Sequence, residues 1–152
     1  MRFEDPDVVR DALNEVPKIS IRERALALLE LSSAITSDLN CIGTALFVLG
    51  RIKKPAAIDP IDYSVMESYL ADAELVNDGK ECGDMVLFDY ENPIVHIITH
   101  AAVFLGPYKG KNIVFQKFPL SNYSIQDFED LDWEYRRTVK VAPVGLKVYR
   151  FA

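Results

Sequence analysis

The sequence predicts an α+β fold, and three observations carry that expectation. Apolar residues recur at helical spacing through the first half of the chain, whereas β-branched and aromatic runs separated by turn residues fill the second. Helices first and strands afterwards is the pattern of helices packed on an antiparallel sheet rather than of an alternating βαβ array. A length of 152 residues with 49% hydrophobic content also suffices to bury one core, so a single domain over 1–152 is expected.

The first helix is predicted over Pro6 to Val16, short and amphipathic. A second runs from Ile21 to Ile35, rich in Ala, Leu, Glu and Arg, with Leu26, Leu29 and Ala34 on its apolar stripe. The residues Thr36-Ser37-Asp38-Leu39-Asn40 favour helix N-caps, and the apolar segment after them extends from Cys41 through Leu49 until Gly50 stops it. Cys41 is therefore expected in the first turn of a helix. A fourth helix is predicted over Ile61 to Val76, starting near Asp62 or Ser64 and closing at the Asn77-Asp78-Gly79 turn. Strands are predicted over Met85 to Tyr90, Ile94 to Leu105, Ile113 to Phe118 and Leu146 to Phe151. Within the acidic and aromatic stretch from Ser121 to Tyr135, a short helix is expected around Ile125 to Leu131.

Composition narrows the function classes. The 17 basic and 23 acidic residues leave a net charge of −6, which gives no basic surplus for neutralising phosphates and argues against a nucleic-acid partner. No window reaches the roughly 20 consecutive apolar residues of a membrane-spanning helix. The polar, acidic start, Met1-Arg2-Phe3-Glu4-Asp5-Pro6, is unlike a secretory signal, and a cytoplasmic location is expected. Cys41 and Cys82 are too few and too far apart for a disulfide framework or a zinc finger, so free thiols are expected, with no metal and no cofactor.

The chemistry-bearing residues are few. At a helix N-terminus, the unpaired backbone N–H groups and the positive end of the helix dipole favour a thiolate, the nucleophilic form of cysteine. Cys41 is a candidate nucleophile on that ground, and the alternative is one more small buried hydrophobe. An imidazole base for it can only be His96 or His100, the two histidines of the chain. Both lie in the apolar segment Ile94 to Leu105, where alternation puts His96, Ile98, His100, Ala102 and Phe104 on one face of a strand. At strand spacing the two rings stand roughly 13 Å apart and cannot share an ion. His96 is expected near a strand end, partly solvated or bonded to backbone.

These residues also resemble a family. Asn40-Cys41-Ile42-Gly43-Thr44-Ala45-Leu46, then Gly83-Asp84-Met85-Val86-Leu87-Phe88, then Thr99-His100-Ala101-Ala102-Val103-Phe104-Leu105-Gly106 are similar, in order, to the three motifs of the NlpC/P60-like branch of papain-type cysteine hydrolases. The resemblance spans about 36–118 and divides the chain into a core over 36–152 and an N-terminal helical extension over 1–35, which could shape or cover the active-site groove. It implies the papain-like NlpC/P60 fold and a catalytic triad in which Cys41 is the nucleophile and His100 the base. The third, polar residue of the family falls on Gln116 of Asn112-Ile113-Val114-Phe115-Gln116-Lys117-Phe118, with its amide oxygen accepting from the Nδ1–H of His100. A register shift of one residue would put Lys117 there instead, and Gln116 would then be an edge-strand polar residue.

The chain departs from the family pattern at Asn40 and Ile42, where Asp and Ser are usual, and four residues around Pro107-Tyr108-Lys109-Gly110 are expected to lengthen the turn after the histidine strand. Asp84 reads as structural, pinning the turn into its strand by an Asx-type hydrogen bond. Cys82 reads as an inert thiol. Tyr123, Trp133 and Tyr135 are either groove-lining aromatics or core. The resemblance implies a thiol hydrolase cleaving an amide or isopeptide bond in a peptide or small amide substrate, such as the γ-D-glutamyl–diamino acid bonds of peptidoglycan fragments. An acyltransferase or deamidase on the same fold, or a non-catalytic binding or inhibitory domain, stays open, as does the oligomeric state.

Overall fold

A computed structural model describes residues 1–31, 39–136 and 144–152. In chain order these form β1 (Arg2–Phe3), α1 (Pro6–Asn14), α2 (Ile19–Glu30), α3 (Cys41–Val48), α4 (Tyr63–Leu70), β2 (Glu74–Leu75), β3 (Met85–Glu91), β4 (His96–Tyr108), β5 (Lys111–Lys117), β6 (Tyr123–Asp127), α5 (Phe128–Arg136) and β7 (Gly145–Arg150). The strands pair antiparallel in the order β1-β6-β5-β4-β3-β7-β2. This is a mixed α+β architecture, helices on an antiparallel sheet.

The sheet is covered on both faces. Against one face lie α1 to α4, whose buried Val9, Leu13, Leu28, Ile42, Leu46 and Met66 join Met85, Leu87, Val103, Phe115 and Ile125 of the strands in one apolar cluster. Against the other lies α5, where Phe128 and Leu131 meet Val86, Phe88, Ala102, Phe104 and Val114. Successive strand residues serve opposite clusters, as a two-faced strand requires.

Several boundaries differ from expectation. The second helix ends at Glu30, where Leu31 turns extended; its buried residues are Ile21, Ala25 and Leu28, and Leu26 and Leu29 are only partly buried. The expected stretch 32–35 and the residues Thr36, Ser37 and Asp38 lie outside the described residues. The fourth helix starts as expected, with the Asp62 carboxylate accepting from the Ser64 amide at 3.2 Å, but stops at Leu70. Beyond it Glu74 and Leu75 pair with Arg150 and Tyr149, because a sheet edge offers their backbone the hydrogen bonds that a helix would otherwise supply.

The short helix expected over Ile125 to Leu131 is a strand followed by a helix. Tyr123–Asp127 pairs with β5 on one side and β1 on the other, and α5 begins only at Phe128. The residues around Pro107 to Gly110 do not lengthen a turn. They lengthen the strands: Pro107 pairs with Asn112 and Tyr108 with Lys111, leaving a two-residue turn of Lys109 and Gly110, both at positive φ, as a type I′ hairpin demands.

Alternation along β4 also breaks. Phe88 pairs with His100 but Asp89 with Ile98, so Thr99 is an extra residue in β4, a β-bulge whose Oγ1 donates to the Phe88 carbonyl at 3.0 Å. His96 and Ile98 consequently face the helical layer of α4, and His100, Ala102 and Phe104 face α5. The expected single face for all five residues is thus corrected by one bulge.

Candidate active site

The site is built where α3 begins and where β4 and β5 separate. Asn40 caps α3, its side-chain oxygen accepting from the Gly43 amide at 2.9 Å and from the Ile58 amide at 3.2 Å, while its Nδ2 donates to the Ile58 carbonyl at 2.6 Å. An aspartate could make the first two bonds but not the third, which accounts for Asn at this position. The glycine two residues after the cysteine has an equally local reason. A Cβ on Gly43 would lie 1.7 Å from the Ala56 carbonyl oxygen, so the loop that Asn40 clamps can cross α3 only over a bare backbone. Ile42 is fully buried in the core.

Cys41 is thereby held at the first turn of α3, partly exposed as a residue. Burial around its thiol raises its pKa, and hydrogen bonding from the backbone amides of Ala101, Ile42 and Cys41 itself, then the charge of Lys117, acts in the opposite direction without prevailing. The expectation that the helix terminus alone would leave a low-pKa thiol is therefore corrected. The terminus stabilises the thiolate as anticipated, but desolvation is the larger effect.

The Ala101 contact joins the helix to the histidine strand. Pairing between β4 and β5 stops at Val103 and Phe115. Before Val103, β4 is paired to β3, and the Ala101 amide is turned to the Cys41 thiol. His100 immediately precedes it, 1% exposed, with burial lowering its pKa to about 4 against a smaller upward influence of Gln116. At neutral pH the ring is neutral, a form able to accept a proton.

His100 and Gln116 meet across the strand gap at 2.7 Å, through Nε2 of the ring and Oε1 of the amide. The bond runs through Nε2 and not the expected Nδ1, because the ring reaches β5 with its far edge. Lys117, one residue on, turns its fully buried side chain to the opposite sheet face, where it lies close enough to Cys41 for their charges to interact. Compared with known proteins, the chain matches no family model, no curated protein and no solved structure.

The imidazole is packed among aromatic rings that lie nearly parallel to it, Phe118 at 4.6 Å and Tyr135 at 5.0 Å between centroids, with Phe88 at 6.5 Å. Burial raises the Tyr135 phenol pKa, and the proximity of Cys41 adds to that rise. Of the three aromatics singled out in sequence, Tyr135 is therefore beside the site. Tyr123 is core, stacked on Phe115, and Trp133 is 56% exposed. The Arg2 guanidinium sits 4.5 Å over the Phe118 ring and depresses His100 slightly further.

Two residues at this site escaped sequence reasoning. Gln126 of β6 accepts at Oε1 from Gln116 Nε2 and donates from its own Nε2 to Glu134 Oε1 of α5, both at 2.7 Å. The signal was present in Tyr123-Ser124-Ile125-Gln126, which alternates apolar and polar as a strand does, but a helix was expected there.

The remaining candidates lie elsewhere. His96 opens β4 on the other sheet face, at a strand end and partly exposed as expected, stacked on Tyr63 and bonded through Nε2 to the carboxylate of Asp89 at 2.5 Å, with no backbone partner needed. Asp89, Glu91 and His96 bring ligand atoms within 4.8 Å of one another. Lys147 Nζ already stands 3.1 Å from Asp89 and 3.6 Å from Glu91, supplying the cationic charge such a cluster would seek. Asp84 accepts from the Glu81 amide at 2.8 Å and is gripped by Arg150 through both carboxylate oxygens, tying the turn before β3 to β7. Cys82 is half-buried, and burial raises its thiol pKa. Among the described residues, no helix is long and apolar enough to cross a membrane.

Proposed function

We propose that the protein is a thiol hydrolase of the papain-like, NlpC/P60-like kind, cleaving amide or isopeptide bonds with Cys41, His100 and Gln116. One observation supports this reading above the rest: the thiol at the start of α3 is close enough to the backbone amide that follows His100 for that amide to favour its thiolate, while the imidazole of His100 is held through Nε2 by a buried amide.

Because burial disfavours both charged forms, the resting pair is thiol and neutral imidazole. The chemistry that suits it is general-base catalysis at the moment of attack, not a standing ion pair. The proposed step has His100 Nδ1 take the thiol proton as the sulfur bonds to the carbonyl carbon, which requires the ring, on the α5 face, to reach the thiol at the start of α3 through the gap where β4 and β5 separate; the oxyanion is met by the Cys41 backbone N–H. The imidazolium gives that proton to the departing amine as the C–N bond breaks, leaving a thioester. Water then adds to the thioester, with His100 again taking a proton, and the acid is released with the thiol restored.

The motif resemblance favours peptides containing γ-D-glutamyl–diamino acid bonds. Incubation with such peptides and with simple isopeptides, following released amine and the mass of Cys41, tests the reading. Turnover with an acyl adduct on Cys41, abolished by Cys41→Ala and reduced at least about 100-fold by His100→Gln, is expected. Absence of both product and adduct, including with peptidyl electrophiles that acylate reactive thiols, would leave the second reading, a non-catalytic binding domain, which the raised thiol pKa favours.

A further inference from the structure

The hydrogen bonds behind His100 have a direction that is fixed from their far end. A carboxylate can only accept, so Gln126 must present Nε2 to Glu134 and hence Oε1 to Gln116. Gln116 must then donate its Nε2 to Gln126, which turns its own Oε1 to the ring. An amide oxygen accepts, so the imidazole must donate from Nε2. Each choice is forced by the one before it, and the neutral ring is left with its proton on Nε2 and its lone pair on Nδ1.

We infer that Gln126 and Glu134 are positioning residues for His100, closing a one-way relay from a carboxylate on the exposed side of α5 to the buried imidazole. Gln116 and Gln126 are 0% and 1% exposed, so no solvent competes along the middle of the relay. Glu134 is exposed, which puts a charge at the solvent end without burying it. Polarisation along such a chain strengthens each bond, and a charged acceptor at its end strengthens it further. Three elements share the work: β5 and β6 carry the amides as diagonal neighbours, Gln116 pairing with Ser124 and Gln126 with Val114, and α5, which also stacks Tyr135 on the ring, carries the acid. The catalytic value of the relay rests on the proposed role of His100 as base, but the relay itself does not.

The ring nitrogens report it directly. Protein labelled with 15N-histidine contains two imidazoles, and a His96→Gln variant leaves only that of His100. Long-range proton–nitrogen correlation at pH 7 is expected to show Nε2 protonated and Nδ1 bare in the parent. Gln126→Leu, which cuts the relay, and Glu134→Gln, which removes the charge at an exposed position compatible with folding, are expected to raise the share of the Nδ1–H tautomer, by roughly threefold or more for the cut. A merely structural role would change the melting temperature and leave the tautomer alone. Parent-like tautomers in both folded variants, or an Nδ1–H ring in the parent, would overturn the inference; if Gln126→Leu fails to fold, an unshifted Glu134→Gln suffices to do so. A protein that hydrolyses no amide yet shows the expected shifts would refute the proposed function and leave the relay standing.

Discussion

At Cys41 two local effects compete, and their order decides how the thiol behaves. Three backbone amides and the buried Lys117 ammonium favour the thiolate, yet desolvation outweighs them. Iodoacetamide should therefore modify Cys41 along a pH profile displaced above that of a free thiol, in contrast with enzymes whose cysteine rests as an ion pair. Lys117→Met removes a side-chain charge that acts in favour of the thiolate, so alkylation at pH 8 should slow on the order of two- to threefold, read by peptide mass spectrometry against Cys82. An unchanged rate would mean that the ammonium is screened from the sulfur. His100 is displaced by the same cause: it is neutral at pH 7, and a pKa lowered to about 4 makes it a weaker proton acceptor than an ordinary histidine.

At the scale of the element, the start of α3 is a joint between a helix and a loop. Asn40 makes its three bonds only because Ala56 can approach Gly43, and the approach needs a residue without a side chain. Gly43→Ala should force loop and helix apart and cost at least about 2 kcal/mol in urea unfolding, with an accompanying change in the alkylation rate of Cys41. Asn40→Asp keeps the cap but faces a carboxylate toward the Ile58 carbonyl, and a cost of about 1–3 kcal/mol is expected. Wild-type midpoints in both variants would show that the loop yields freely. The bulge at Thr99 is the matching device in the sheet: by adding one residue to β4 it sends His100 to the α5 face while His96 stays on the other.

For the molecule as a whole, the buried imidazole couples folding to pH. The folded chain keeps His100 neutral down to about 4, whereas an ordinary histidine protonates near 6.5. Between those values the unfolded chain binds the extra proton, so this group makes stability fall as pH falls from 6.5 toward 4 and contributes no further slope below. The loss across that window is on the order of 3 kcal/mol. Urea titrations of the wild type and of His100→Gln at pH 7, 5.5 and 4 should show a steeper decline in the wild type. Parallel declines would mean that water or local opening solvates the ring. The two-sided cover of the sheet makes this coupling large, because α5 and its Tyr135 close over a ring that a one-sided sheet would leave in solvent.

The sequence by itself determined the α+β class, the helix that begins at Cys41, the strands around Met85, His100, Val114 and Val148, and the alternation that sets Gln116 and Lys117 on opposite faces. Each is a local property, fixed by apolar period, cap chemistry and turn residues. Tertiary structure alone decided the rest. Tyr123–Asp127 became a strand because two neighbours pair with it, and Glu74–Leu75 because β7 offers an edge. The bulge at Thr99 changed the face of His96, and Nε2 rather than Nδ1 met Gln116. The protonation of Cys41 and His100 belongs in the same group: helix position is written in the sequence, but desolvation depends on everything packed around the two side chains, and here it is the larger effect.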